Sequence, residues 1–226
     1  PKTPKTDFSS LRMCISGGAP LPLETKAKFE EITGANLVEG YGLTESSGVV
    51  SVNPYEAENK PGSIGQPCAA TIVKLVDKED PTEPAADGEP GEIVIAGPQI
   101  MQGYWNRPDA DEKVFIDGFL RTGDVGRIDE DGYIFIVDRL KDMIAVSGFK
   151  VFPSQVEDVL LEHEAVKEAL VIGRPDAYHG EMPVAYVTLK ASHEASGEQL
   201  KQWLNARVGK HERADAVIIR EDLPKT

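Results

Sequence analysis

Between Leu11 and Ile15 the chain runs through a short mixed stretch that stops at "SGGAPLP". "LETKAKFEEITG" then offers good helix formers closed by Gly34, and the apolar "ANLVEG" follows. Strand, helix, strand is the grammar of an α/β layer. Past Pro61 the texture changes: "TIVKLVD", "GEIVIAG", "GFLRTGDVGRID" and "GYIFIVD" are short β-rich runs separated by Gly, Pro and Asp clusters, with "DEDG" reading as a hairpin turn between the last two. Downstream of Asp138 the pattern changes again. "FPSQVEDVLLEH" carries the spacing of a capping box, Ser154 with Glu157 three on, ahead of apolar Val156, Val159 and Leu160. "AVKEALVIG" and "PVAYVTLK" alternate like strands, "SGEQLKQWLNARV" adds a helix and "AVIIRE" a last strand.

The expected fold class is therefore α/β, then β, then α+β: residues 1–60 as the end of an α/β layer, 61–137 as a small antiparallel β subdomain, and 143–226 as a compact α+β domain. They join through "DRLKD" at 138–142, which lacks the composition of a long flexible linker.

Bulk properties narrow the function classes. With 226 residues, 40% of them hydrophobic, the chain can bury a real core. A formal charge of −14, with no Lys/Arg run, is the wrong sign for a polyanion, so nucleic acid is not an expected partner. Cys14 and Cys68 make no disulfide framework or paired zinc spacing, and the four histidines are scattered, so a reducing cytoplasm is expected and a structural metal is not. No apolar run approaches the roughly 20 residues of a membrane span, which leaves peripheral contact with an inner membrane open. Trp105 and Trp203 read as core or interface aromatics.

Candidate chemistry sits at the strand ends. Glycines there let a planar ligand or a phosphate approach the backbone, because no Cβ intervenes. "SGGAP" and "GYGLTE" both end strands of one α/β layer, where ligands bind at the carboxyl edge. In the second motif a threonine hydroxyl can bond phosphate, a glutamate can hold Mg²⁺ against phosphate oxygens, and a tyrosine can stack on a base. Either stretch alone also reads as an ordinary Gly-rich turn; together they lean toward a nucleotide. Asp124 in "RTGD" could accept both hydroxyls of a ribose, or simply form a turn. "DRLKDMI" could be a solvated charged face or a functional joint. "DEDG" is too short for a calcium loop, and no nucleophile elbow or Cys–His neighbour pair supports covalent catalysis.

Five stretches in fixed order, "GGAPLP", "EGYGLTES", "GYWNRPDAD…GFLRTGD", "DRLKDMI" and "SGFKVFPSQVE", resemble the adenylate-forming superfamily of acyl-CoA synthetases, firefly luciferases and peptide-synthetase adenylation domains. "EGYGLTESSGVVSVNP" with "VDRLKDMIAVSGFKVFPSQVEDV" looks most like the bacterial long-chain fatty acid CoA ligases, and the similarity runs from about Leu11 to Thr226. The resemblance implies activation of a fatty acid by ATP to an acyl-adenylate, then transfer to coenzyme A, with Mg²⁺ as metal. It implies an adenine pocket lined by Gly18, Ala19 and Pro20, with Glu39, Gly40, Tyr41 and Gly42 as nucleotide contacts, Gly40 and Tyr41 flanking the base. Thr44 would touch phosphate, Glu45 would bind Mg²⁺ and Asp124 would hold the ribose. Arg139 would reach ribose or phosphate, Lys141 would be the hinge of a mobile small domain, Gly148 would face the pantetheine passage and Lys150 would be a further cofactor contact.

Family members also carry an upstream phosphate loop ending in Pro-Lys-Gly, which nothing between Pro1 and Leu11 resembles, and a Gly-Lys pair just past an "LPKT" like that of residues 223–226. The expectation is a C-terminal fragment, inactive alone, of a longer enzyme. Ala145 stands where several relatives have lysine. The alternatives are a fatty acyl-AMP ligase serving a carrier protein, an aryl-CoA ligase, and a non-catalytic AMP-binding module.

Overall fold

The computed structural model describes residues 7–19, 21–57, 59–191 and 193–224. Helix Leu23–Thr33 (α1) links two parallel strands, Cys14–Ser16 (β1) and Leu37–Leu43 (β2), in register from Cys14 opposite Leu37 to Ser16 opposite Glu39. The helix stops at Gly34, whose N–H returns to the Glu30 carbonyl. Lys26 and Glu30, one turn apart, pair with each other and both reach β2: the ammonium bonds the Leu37 carbonyl and Glu30 Oε1 accepts from Leu37 N at 2.9 Å. A one-turn 3₁₀ helix, Thr44–Ser46, then folds the chain back as Gly48–Val52 (β3), antiparallel to β2. Gln66–Pro67 (β4) completes this sheet in the order β1-β2-β3-β4, so it continues beyond Pro61.

The β-rich runs form a second sheet. Ile72–Val76 (β5) and Gly91–Ala96 (β6) pair antiparallel, and β6 is buried from Gly91 through Ile95, as the middle strand of a sheet must be. Pro108–Val114 (α2) interrupts a stretch expected to be β. Pro108 in its first turn has no N–H to lose, Asp109 and Asp111 lie at its N-terminal end and Lys113 at the other, matching the helix dipole. Phe115–Ile116 (β7), Phe119–Ile128 (β8) and Ile134–Arg139 (β9) follow, giving the order β5-β6-β8-β7 with β9 also on β8. "DEDG" is the expected turn: Asp129 Oδ1 accepts from Asp131 N and Tyr133 N, while Lys60 bonds both Asp129 and Asp131 from over the Tyr133 ring. One core joins the sheets, with Tyr41 and Val50 from the first packed on Ile93, Ile95, Leu120 and Ile134 of the second. That packing brings the "GYG" strand next to the "RTGD" strand.

These elements, apart from the last two residues of β9, make up one compact unit, Pro1–Val137; a second spans Asp138–Thr226. In the second, Ile144–Val146 (β10) and Phe149–Val151 (β11) form a hairpin, and Pro153–Leu161 (α3) follows. Val166–Asp176 (β12) and Gly180–Leu189 (β13) form a long antiparallel pair, Gly197–Asn205 (α4) comes next, and Ala216–Ile219 (β14) runs parallel to β13. Val156 and Leu160 of α3 and Leu200 and Leu204 of α4 meet Ile144, Val171, Ala185 and Val187 of the sheet. The capping box expected at Ser154 and Glu157 does not form. Pro153 already occupies the first helical turn, so Ser154 lies inside the helix: its hydroxyl bonds Asp138 at 3.0 Å, while Glu157 accepts from Val171 N at 2.7 Å. A capping box does form at α4, between Ser196 and Gln199. Among the described residues no helix is long and apolar enough to cross a membrane.

Candidate functional site

Close backbone approach shapes the end of the first sheet. A Cβ on Gly17 would stand 2.9 Å from the Gly40 carbonyl oxygen, and one on Gly42 only 1.7 Å from that of Gly48. Bare backbone at these positions lets β1, β2 and β3 converge on a cleft of about 520 Å³. Gly17 and Gly18 form one rim, Gly40 to Thr44 another, and Ile15, Ser47 and Val49 line the rest. Apolar patches from Ile15 and Val49 beside exposed backbone and hydroxyls suit a flat, polar-edged ligand.

The turn that closes the cleft is held by a residue the sequence did not single out. Ser46 is fully buried, accepts from Leu43 N at 2.9 Å, and its hydroxyl lies 2.9 Å from both the Leu43 and Gly48 carbonyls. It thereby sets the position of its neighbours Thr44, which is exposed, and Glu45, which is half-buried.

Tyr41 is buried with its ring in the core, and its hydroxyl donates to Asp124 Oδ2 at 2.5 Å. The ring expected to flank a base is thus fixed at its far end by the aspartate expected to bind ribose. Asp124, only 2% exposed, accepts that bond from the middle of β8. Glu45 has its own partner: Tyr104 donates its hydroxyl to Oε1 at 2.7 Å, and the Glu45 carbonyl accepts from Met101 N at 2.8 Å. The hydrogen bond to Glu45, more than burial, pushes the Tyr104 hydroxyl up to about 12.

The remaining expected residues fall elsewhere. Glu39 is buried and outside the cleft lining; its Oε1 accepts from Leu21 N at 3.4 Å and its Oε2 from Gly62 N at 3.2 Å. Ala19 is exposed and outside the cleft lining, and Pro20 lies outside the described residues. Trp105 is 90% exposed, so it is no core residue, whereas Trp203 packs against the second unit's core. In that unit Arg139 ends β9 and Lys141 lies exposed in the 3₁₀ turn Leu140–Asp142. Ser147 and Gly148, with φ of 50° and 85°, form the two-residue turn of the β10–β11 hairpin. Two positive φ values match the twist of the flanking strands, and Lys150 stands opposite Ala145.

Residues 1–105 match the family model described as AMP-binding enzyme, and residues 155–226 match that of the AMP-binding enzyme C-terminal domain. The chain belongs to the AMP-binding enzyme family. Over all of its 226 residues it is 45% identical to the long-chain-fatty-acid–CoA ligase of Bacillus subtilis (strain 168), and it spans 40% of that protein's length. Among solved structures, ATP-bound MatB from Rhodopseudomonas palustris superposes with a TM-score of 0.84 at 34% identity, over 94% of this chain and 42% of that one. O-succinylbenzoate CoA synthetase from Bacillus subtilis, in complex with ATP and magnesium ion, gives 0.74 at 33% identity, over 95% and 44%.

The residues of this member of the AMP-binding enzyme family fit the ATP of these two structures and the magnesium ion of the second. The cleft's bare rims and apolar walls have the shape and chemistry that a base requires, and Thr44 offers a hydroxyl at its edge. Among the described residues no three His, Cys, Asp or Glu side chains cluster as a metal cage. A Mg²⁺ at the lone carboxylate of Glu45 would therefore complete its shell with phosphate oxygens and water, the usual manner for this hard cation.

Proposed function

We propose that the whole protein is an AMP-forming fatty acid CoA ligase, with long-chain acids as substrates. The observation that carries this reading is the convergence of "SGG" and "GYGLT" on one bare-backboned cleft, with Tyr41 tied to Asp124 behind it. In the first step the fatty acid carboxylate attacks the α-phosphorus of ATP, a P–O bond forms to the acyl oxygen and pyrophosphate leaves. In the second, the coenzyme A thiol, giving up its proton, attacks the acyl carbon and AMP leaves.

Gly18, Gly40, Tyr41 and Gly42 take the adenine against backbone and ring. Asp124 accepts ribose hydroxyls; a carboxylate has about four lone-pair sites, so bonding Tyr41 is compatible with that task. Thr44 donates to phosphate and Glu45 carries Mg²⁺, which when bound neutralises charge building on the transferred phosphate. The first sheet, which runs on to β4, then belongs to the end of a large domain, the second sheet to a β subdomain, and 143–226 to a small domain that turns about 138–142. Lys141 is the pivot of that turn, Arg139 reaches ribose or phosphate, and Gly148 and Lys150 face coenzyme A.

ATP–pyrophosphate exchange by the full-length protein with palmitate tests the proposal. Exchange that depends on the fatty acid, followed by palmitoyl-CoA formation, is the expected result; no exchange with any fatty acid refutes it.

A further inference from the structure

The "RTGD" segment is a bulge, and something must hold it. Glu92 on β6 stands opposite Val125 of β8, while Val94 stands opposite Arg121. Thr122, Gly123 and Asp124 therefore face Ile93 alone, and the surplus chain is folded out of the ladder. Bulges of this kind re-aim side chains near functional sites. Gly123 takes φ 73° to make the bend, with open space where a Cβ would point.

Two devices pin the bend. Thr122 donates its hydroxyl to the Ile93 carbonyl at 2.8 Å and accepts from Asp124 N at 3.1 Å. Glu92, 1% exposed, accepts from Gly123 N through Oε1 at 3.2 Å, and from Arg121 Nε and Nη2 through Oε2 at 3.0 and 2.7 Å. Replacing a buried ion pair by apolar residues is often neutral for stability, so the fold alone does not demand a carboxylate in the middle of β6. What a carboxylate does there is grip the bulge at two points, Arg121 just before it and Gly123 within it.

We propose that Glu92 is a positioning residue for the nucleotide: by bridging Arg121 and Gly123 it fixes the bulge that presents Asp124 to the ribose. This rests on the reading of Asp124 as the ribose-binding carboxylate. It predicts that losing Glu92 harms recognition of the ribose hydroxyls and spares recognition of the base and phosphate.

The test compares binding of AMP and 2′,3′-dideoxy-AMP to the full-length protein by calorimetry. A site built to bond hydroxyls rejects the analogue lacking them, here by about tenfold or more in the parent. Asp124→Asn should collapse that ratio toward one, and Glu92→Gln should lower it severalfold while leaving dideoxy-AMP affinity within about twofold. If Asp124→Asn collapses the ratio and Glu92→Gln keeps it, the role of Glu92 is overturned and the ribose reading stands. If Asp124→Asn itself keeps the ratio, both are overturned. Glu92→Asp guards against misfolding, since it retains a charge for Arg121 but cannot reach Gly123 N as well; should only this variant fold, a lowered ratio supports the proposal and a parental ratio refutes it.

Discussion

The Tyr104 hydroxyl lies 2.7 Å from Glu45 Oε1 and donates to it, joining two residues 59 positions apart. Tyr104 is itself held, its N–H bonded to Asp111 Oδ1 at 2.8 Å at the start of α2. The carboxylate proposed to carry Mg²⁺ thus has its orientation set by a phenol on a second loop. Partners that orient a metal-binding carboxylate commonly contribute 10- to 100-fold to affinity or activity. Tyr104→Phe should raise the Mg²⁺ concentration for half-maximal adenylation by about tenfold, with AMP affinity in the absence of metal unchanged. A Mg²⁺ titration of pyrophosphate exchange reads it, and an unchanged midpoint would separate Tyr104 from the metal.

The same pair sets a pH dependence. Tyr104 is raised from its ordinary 10 to about 12, first by the hydrogen bond to Glu45, then by burial and by the charges of Glu45 and Asp111. A group whose folded value is raised contributes stability that is fully present below its unfolded value and is lost as pH rises through the folded one. The contribution should therefore be intact up to about pH 10 and fall away between about 10 and 12. Urea midpoints of parent and Tyr104→Phe should differ more at about pH 9 than at about pH 11.5. The two proteins differ only in the Tyr104 hydroxyl, so a difference that stays constant would contradict the assignment.

The cleft was legible because close backbone contact leaves a trace in the chain: Gly17 and Gly42 are glycines where a Cβ would collide, and at Gly40 one would press on the Ile15 side chain. Position within an element was less legible. Ser154 and Glu157 have capping-box spacing, but the helix starts two residues earlier than that box implies, at Pro153, and hands their side chains to Asp138 and Val171. Helix α2, "PDADEKV", has no apolar stripe to reveal it, and its terminal charges show only once its ends are known. Ser46, Glu92 and Tyr104 escaped notice for a different reason. Their partners are turns of backbone or residues on other loops and strands, and a pairing such as Tyr41 with Asp124, 83 positions apart, exists only after two sheets share a core.

Glu39 should prove structural in its effect. Its two oxygens accept from the backbone of Leu21 and Gly62, tying the segment before α1 to the loop that leads to β4. Hydrogen bonds to a charged acceptor contribute about 1.5–3 kcal/mol, and the orphaned N–H groups would add to the loss. Glu39→Ala should lower unfolding free energy by about 2–3 kcal/mol, while AMP affinity of the folded fraction changes less than twofold. Loss of AMP affinity without loss of stability would instead argue for direct nucleotide contact.

Ser154 gives both its N–H and its hydroxyl to Asp138 Oδ2, at 3.1 and 3.0 Å, so the first residue of the second unit is fastened to the first turn of α3. A carboxylate at a helix N-terminus satisfies orphan donors and meets the positive end of the dipole. Asp138→Ala should cost the second unit about 1–2 kcal/mol and Ser154→Ala about 1 kcal/mol. Because each substitution removes part of the other's interaction, the double variant should cost less than the sum by at least about 0.5 kcal/mol. Trp203 provides the readout, since it packs on this unit's core with its ring edge-on to His163 at 5.0 Å, whereas Trp105 is 90% exposed and should change little on unfolding. Strict additivity in urea unfolding followed by Trp203 fluorescence would show that the two residues stabilise the unit independently, and that Asp138 is not what anchors the entry to α3.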